Sequence, residues 1–541
     1  MQRQEPVTSA SRRTAVLVGF VCMLLLALVR ASSAEAGAAP GWWSYDRSAA
    51  YEAVKVAVAV TVRDGTPLAC DLYRPGTAGG AATGRFPGLV AEFTPYSALR
   101  LSGLFDSEAD YFATHGYNVL VCDVRGTGLS GGVWTQIDSP LEAQDDYDLV
   151  EWLARQPWSN GRIGQQGFSY GGFTSYRVAA LQPPHLVAIA SFASQDNLYL
   201  DDPYKGGMWD PTQPPWPTIA QALSGGRIQA AAEIALWRSH PTFDAFWQQI
   251  AISTKYDRIR VPVLATGGWE DTLLGPGAIG NYEGLRPHNW TIYGPWPHTN
   301  PFAFPGSQPP PHPLPPGALL AWWDYWLMRL PGAPLPSASF TSFEEPEGVS
   351  VGWQQLGDWP PPDVRETKLA LTSDGRLDQK AASDDVTLQE PALAELPILQ
   401  DGSATFDSGV LGGDAVVAGS VVVHLHATLD QPDANFYVQL LDVAPDGTAT
   451  LVKEGYLRAS HRLSHTHPTP VVPGQPTDFD IQVIHEDWRF AAGHQIRIVV
   501  SGGDPTKIEP LPYPVTITIR TGRRASYALF PLRGLGYRNV P

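Results

Sequence analysis

Residues 167–171 read Gly-Phe-Ser-Tyr-Gly, a G-x-S-x-G pentapeptide that follows a short apolar run at Ile163 and precedes a helix-compatible stretch. Small residues on either side let the backbone turn sharply from strand to helix and lift the Ser169 hydroxyl above a sheet. The chemistry such a turn serves is acyl transfer. The hydroxyl attacks a carbonyl carbon, and the free N–H groups at the helix start face the oxygen on which negative charge develops. In a chain with 52 glycines the pentapeptide also fits an ordinary glycine-rich turn, so the reading depends on what else the chain supplies.

A serine hydroxyl is a poor nucleophile unless a histidine takes its proton and a carboxylate holds that histidine in the right tautomer. Behind a strand–serine–helix turn these partners follow in the order Ser, Asp, His, each just past a later strand. Two segments match. The strand-like Val261 to Thr266 leads into Gly267-Gly268-Trp269-Glu270-Asp271, and Trp290 to Tyr293 leads into Gly294-Pro295-Trp296-Pro297-His298. Asp271 is read as the orienting acid and His298 as the base. Glu270 is a rival acid, and His288 and His312 are rival bases. His288 precedes its strand and belongs at the opposite edge of the sheet, while His312 sits in a proline tract read as solvated.

The tetrahedral intermediate needs hydrogen-bond donors. The backbone N–H of Tyr170, directly after the nucleophile, is one by geometry. The loop after the strand Leu89 to Phe93 reads Thr94-Pro95-Tyr96 and has no glycine-rich segment, which makes the Tyr96 hydroxyl a candidate second donor, with a packing aromatic as the alternative.

The elements that must position these groups alternate. An opening hairpin (Val58 to Val62, Cys70 to Tyr73) turns at Asp64-Gly65. Then come a helix from Leu104 to Thr114, the strand Asn118 to Asp123, and a helix from Glu142 to Arg155. This rhythm implies a mostly parallel sheet covered on both faces, the α/β class. From Gln195 to Arg258 the rhythm breaks into proline-rich loops with Trp209, Trp216, Trp237 and Trp247 and helical pieces such as Ile219 to Leu236, read as a cap over the sheet's mouth. A helix from Ala318 to Arg329 closes the α/β part. Beyond Pro360-Pro361-Pro362 alternating sets such as Val421, Val423, Leu425 and Ile496, Ile498, Val500 predict a separate β-sandwich.

The expected organisation is a signal peptide over 1–36, a core over 37–194 and 259–360, the cap over 195–258, and the all-β domain over 361–541. Arg3, Arg12 and Arg13, fifteen apolar or small residues from Ala15 to Val29, and Ala34-Glu35-Ala36 form a secretory signal pattern, so an exported or cell-envelope protein is expected. Cys22 falls in that signal. Cys70 and Cys122 lie on two predicted strands and either pair or are separate buried thiols, the second being the preferred reading. A formal charge of −17 with no basic run argues against nucleic-acid binding. No histidines fall in metal-ligand spacing, and neither metal nor cofactor is expected. A homo-oligomer is compatible with the sequence.

Several segments together resemble the CocE/NonD hydrolases, the group of cocaine esterase, glutaryl-type cephalosporin acylases, α-amino-acid ester hydrolases and X-Pro dipeptidyl-peptidases. They are Thr94-Pro95-Tyr96, Asp123 to Gly132, Tyr147-Asp148, Glu151-Trp152, Gln156 to Gly161, the serine motif, Gly268 to Asp271 and Gly294 to His298. The resemblance implies an α/β-hydrolase core with an inserted helical cap and a C-terminal jelly-roll domain. It places the triad on Ser169, Asp271 and His298 and the oxyanion hole on Tyr96 and the Tyr170 amide. It gives Arg125 a structural task beneath the site. The chain departs from the family pattern in carrying Glu270 where an aromatic is usual, and Leu273 and Leu274 where relatives that bind α-amino groups carry carboxylates.

The function expected from the sequence is a serine hydrolase of small ester or amide substrates. An X-Pro dipeptidyl-peptidase, drawing on Asp201 or Asp202 to hold a substrate ammonium, is the alternative within that class. A surface- or carbohydrate-binding protein with an inert hydrolase core is the alternative outside it.

Overall fold

A computed structural model describes residues 39–212, 215–346, 348–378, 385–390, 402–521 and 525–533. The signal segment, with Arg3, Arg12, Arg13 and Cys22, lies outside the described residues.

Ten strands carry the catalytic part: β1 (Glu52–Thr61), β2 (Pro67–Thr77), β3 (Phe86–Thr94), β4 (Asn118–Asp123), β5 (Ser159–Phe168), β6 (Leu186–Phe192), β7 (Val263–Gly268), β8 (Asn289–Gly294), β9 (Phe340–Glu344) and β10 (Gly352–Leu356). They pair in the order β1-β2-β4-β3-β5-β6-β7-β8-β9-β10, with a two-residue strand at Gly80–Ala81 added to β2. From β4 to β9 every neighbour is parallel, and antiparallel pairs close both ends. Parallel strands are buried on both faces, which is why β4 and β7 are buried throughout, with the apolar run Val119 to Cys122 at the centre of β4 and only apolar or small residues in β7. The strand order reverses between β3 and β4, and β5 leaves the middle of the sheet at Ser169. That is the α/β-hydrolase core.

Cys70 and Cys122 stand directly opposite each other in the antiparallel β2–β4 pair, and they form a disulfide. This corrects the reading of two separate thiols. Both are buried as expected, but the sequence gives no register between two strands 52 residues apart, and register is what brings the sulfurs together.

Between β6 and β7 lie short helices at Leu198–Asp201, Pro215–Leu223, Ala230–Arg238 and Ala245–Ile250. The expected helical piece from Ile219 to Leu236 is two helices, broken where Gly225 and Gly226 both take positive φ. Likewise the helix expected to run to Arg329 is α-helical only over Pro316–Trp323 and widens into a π-type turn over Asp324–Met328.

The C-terminal part is all-β: a nine-stranded and a four-stranded sheet share one apolar core that contains Val423, Leu425, Phe436, Val438, Leu440, Ile496, Ile498 and Val500. The alternating residues seen in the sequence are the ones turned into that core. Its contact with the hydrolase part reaches the active-site side: the Lys453 ammonium is ion-paired to Glu486 at 2.8 Å and donates to the carbonyl of Trp269, two residues before Asp271.

Candidate active site

Ser169 sits at the tip of β5 with φ 56° and ψ −113°, in the left-handed half of backbone space that a non-glycine residue enters only under constraint. The constraint is visible. The Ser169 N–H donates to the carbonyl of Phe192 at 2.8 Å, the Phe168 N–H donates to Glu92 Oε1 at 2.7 Å, and the helix Tyr170–Leu181 starts immediately after. Glycine is required on both sides by close approach. A Cβ on Gly167 would lie 2.5 Å from the Gly171 backbone, and one on Gly171 would lie 2.0 Å from the Glu92 carboxyl. Burial and neighbouring Glu108 push the Glu92 carboxyl well above its usual range beneath the turn.

The Ser169 Oγ is 2.8 Å from His298 Nε2, and His298 Nδ1 is 2.9 Å from Asp271 Oδ2. Asp271 is held in turn by the N–H groups of Leu273 and Leu274, both donating to Oδ1 at 2.9 and 3.0 Å. Each of the three arrives from the carboxyl end of a different parallel strand, β5, β7 and β8, so one edge of the sheet assembles them. Phe168 lies against the His298 ring at 4.9 Å. Glu270 is exposed beside Asp271, and it is Asp271 that accepts the hydrogen bond from His298 Nδ1. His288 is exposed at the entrance to β8. His312, read as solvated, is half-buried with its ring 4.7 Å from Phe343, because the proline tract folds back on the sheet edge.

Tyr96 follows β3 and faces Tyr170 edge-on at 5.9 Å. Its oxygen accepts a hydrogen bond from the indole N–H of Trp216 at 2.9 Å, which leaves its own O–H free to donate. Burial holds that hydroxyl above its ordinary pKa, so it stays protonated. The Tyr170 N–H is the first of its helix and has no intrahelical acceptor. Its ring hydroxyl donates to Glu142 and accepts from the Asp138 N–H.

These residues enclose a cavity of about 40 Å³ whose wall includes Ile137, Asp138, Phe173, Leu198, Asp202, Trp216, Leu273 and Leu274. Of the two cap carboxylates, Asp201 is spent on the backbone: it accepts from the N–H groups of Asp196 and Asn197, both at 3.1 Å. Asp202 does line the cavity, and burial, reinforced by Asp210 and opposed by Lys205, pushes it up to about 7. Asp138 is a site residue that the sequence reading missed. It stands just before the Ser139-Pro140 start of the helix Pro140–Ala154, where it reads as a turn residue, and no spacing marks it.

The Asp123 to Gly132 segment does structural work. Arg100 grips Asp123 through two bonds at 2.8 and 2.7 Å, and Arg125 ties the loop to Asp145 on the helix Pro140–Ala154 and to Asp64 in the first hairpin. The chain then runs on to Ile137 and Asp138 in the cavity wall. Among the described residues no group of histidine, cysteine and acidic side chains could hold a metal ion, and no helix is long and apolar enough to cross a membrane.

Residues 64–300 match the X-Pro dipeptidyl-peptidase (S15 family) profile, and residues 335–529 match that of the X-Pro dipeptidyl-peptidase C-terminal non-catalytic domain. The chain is similar to the cocaine esterase of Rhodococcus sp. (strain MB1 Bresler), with 23% identity over 84% of this chain and 91% of that one. It is a serine hydrolase with a catalytic and a C-terminal domain of the X-Pro dipeptidyl-peptidase (S15) kind. Its fold is similar to that of a CocE/NonD family hydrolase from Staphylococcus aureus, with a TM-score of 0.75 and 20% identity over 89% of this chain and 93% of that one. It is also similar to that of an aminopeptidase from the marine sediment archaeon Thaumarchaeota archaeon, with a TM-score of 0.71 and 20% identity over 93% and 100%.

Proposed function

We propose that the protein hydrolyses carboxylic esters or amides through an acyl-enzyme on Ser169. His298 Nε2 takes the hydroxyl proton as Oγ bonds to the carbonyl carbon, and Asp271 steadies the imidazolium that forms. The Tyr96 hydroxyl and the Tyr170 N–H receive the oxyanion. Collapse of the tetrahedral intermediate expels the alcohol or amine, which leaves with the proton from His298. Water, deprotonated by the same nitrogen, then releases the acid. The observation that carries this reading is the unbroken hydrogen-bonded chain from Ser169 through His298 to Asp271.

A second reading, X-Pro dipeptidyl-peptidase, is favoured by the S15 match and by Asp202 in the cavity wall. It is weighed against by Leu273 and Leu274, which make the wall beyond the acid apolar. Turnover of p-nitrophenyl esters of increasing acyl length, beside Gly-Pro and Ala-Pro p-nitroanilides and with Ser169→Ala in parallel, separates the two. Esters cleaved and anilides spared is the expected outcome. A protein whose main role is binding would turn over neither and would keep its binding in Ser169→Ala. Export is part of the same proposal, supported by the N-terminal pattern and by the Cys70–Cys122 disulfide, a bond that persists in oxidising compartments.

A further inference from the structure

The wall of the cavity beside Ser169 includes Asp138, a buried carboxyl group that feels the charge of the Arg177 guanidinium and lies close to the Tyr170 hydroxyl. Asp138 is 2% exposed, and neither of its carboxyl oxygens has a hydrogen-bond partner among the described residues. Its backbone, by contrast, is engaged on both sides. The N–H donates to the Tyr170 hydroxyl at 3.2 Å, and Arg177 donates to the carbonyl oxygen. Those two bonds hold the residue at φ 52°, a conformation a non-glycine residue adopts only when its surroundings impose it. The tyrosine that fixes Asp138 is also the residue whose N–H adjoins the nucleophile, so carboxyl and scissile bond are held in one frame. Buried polar groups in native proteins are almost always paired, and an exception inside a ligand cavity asks for a ligand that completes it.

Resting on the ester or amide reading above, we propose that Asp138 is a specificity-determining residue that accepts a hydrogen bond from an N–H or O–H donor carried by the substrate part enclosed in the cavity. The rest of the wall agrees. Ile137, Phe173, Leu198, Leu273 and Leu274 offer apolar contact, and outside the catalytic residues and Trp216 the further side-chain donor in the wall is the amide of Gln195. The space beside Asp138, about 40 Å³ and only partly enclosed, suits a short group.

The test compares p-nitrophenyl propionate with its 2-hydroxy and 2-amino analogues, and propyl propionate with its 2-hydroxyethyl and 2-aminoethyl counterparts, in wild type, Asp138→Asn and Asp138→Leu. The wild type is expected to favour the donor-bearing member of at least one series by tenfold or more in kcat/KM, and that ratio is expected to fall at least tenfold in Asp138→Leu. Loss of preference for the amine alone in Asp138→Asn identifies a protonated amine as the donor. Retention of the hydroxyl preference in that variant identifies a hydroxyl. Ratios that stay the same in both variants overturn the proposal. If Asp138→Leu does not fold, Asp138→Ala takes its place as the variant without an acceptor. Calorimetric binding of propylammonium and of propanol to Ser169→Ala, with and without the Asp138 change, gives an answer that needs no turnover. Binding of both unaffected by Asp138→Asn and Asp138→Leu overturns the proposal, whereas failure of the ester reading itself appears as turnover surviving in Ser169→Ala.

Discussion

At the residue scale the account rests on a few hydrogen bonds whose removal has separate signatures. Tyr96→Phe deletes the proposed side-chain oxyanion donor and is expected to lower kcat by about 10²–10³ with little change in KM, as read by steady-state ester hydrolysis. Trp216→Phe keeps the stacking on Tyr170, with which Trp216 lies parallel at 6.5 Å, but removes the N–H that holds the Tyr96 oxygen. A neutral hydrogen bond is worth about 1 kcal/mol net, so a loss of about fivefold to tenfold in kcat is expected, in the same direction as Tyr96→Phe. The residues that the sequence singles out for the triad meet at hydrogen-bond distance because their order along the chain maps onto the order of parallel strands. Asp138 and the donor role of Trp216 were not legible. One reads as a turn residue and the other as one aromatic among many in a proline-rich insertion, and only packing shows what their polar atoms face.

At the element scale the serine turn and the disulfide carry the sharpest expectations. Gly171→Ala would put a methyl into the Glu92 carboxyl, so activity is expected to collapse and thermal stability to fall together. An active, stable Gly171→Ala would mean that the turn is not built as described. The Cys70–Cys122 bond closes a loop across 52 residues, and its double replacement by alanine is expected to cost about 4 kcal/mol in denaturant unfolding while leaving ester turnover intact. Strands were legible at β1 to β5 and again at β7 and β8, where apolar runs alternate with amphipathic stretches, but β6 was not read from the sequence. What the sequence could not show was register, hence the missed cystine, and local breaks, hence the single cap helix that Gly225 and Gly226 divide.

At the scale of the whole molecule the C-terminal sheets are part of the active protein rather than an appendage. Lys453 reaches from them to the carbonyl of Trp269, so Lys453→Met is expected to raise the mobility of the Asp271 loop and lower kcat severalfold without abolishing it, as read by ester kinetics. The cap is joined to the same domain through buried His461, which lies against Gly207, and through the Phe243 N–H bonded to the His465 carbonyl. Burial, with smaller effects from His465 and Arg458, lowers the His461 pKa from 6.5 to about 4. The unfolded chain therefore binds this proton from about pH 6.5 downward while the folded protein resists it, so the stability that His461 confers is complete above 6.5 and is lost as pH falls towards 4. Melting temperatures of wild type and His461→Gln should converge across that window, and parallel curves would exclude the effect. The all-β character of this half was plain in the alternating apolar residues, but its hold on the cap and on the acid loop was not, because long-range contacts leave no period in a sequence.

The most direct test of the account is rapid-quench mass spectrometry of the protein reacting with p-nitrophenyl acetate. The account predicts one acetyl group on the peptide containing Ser169, formed in the burst and absent in Ser169→Ala. An acyl group on another residue, or turnover that continues in Ser169→Ala, would contradict it.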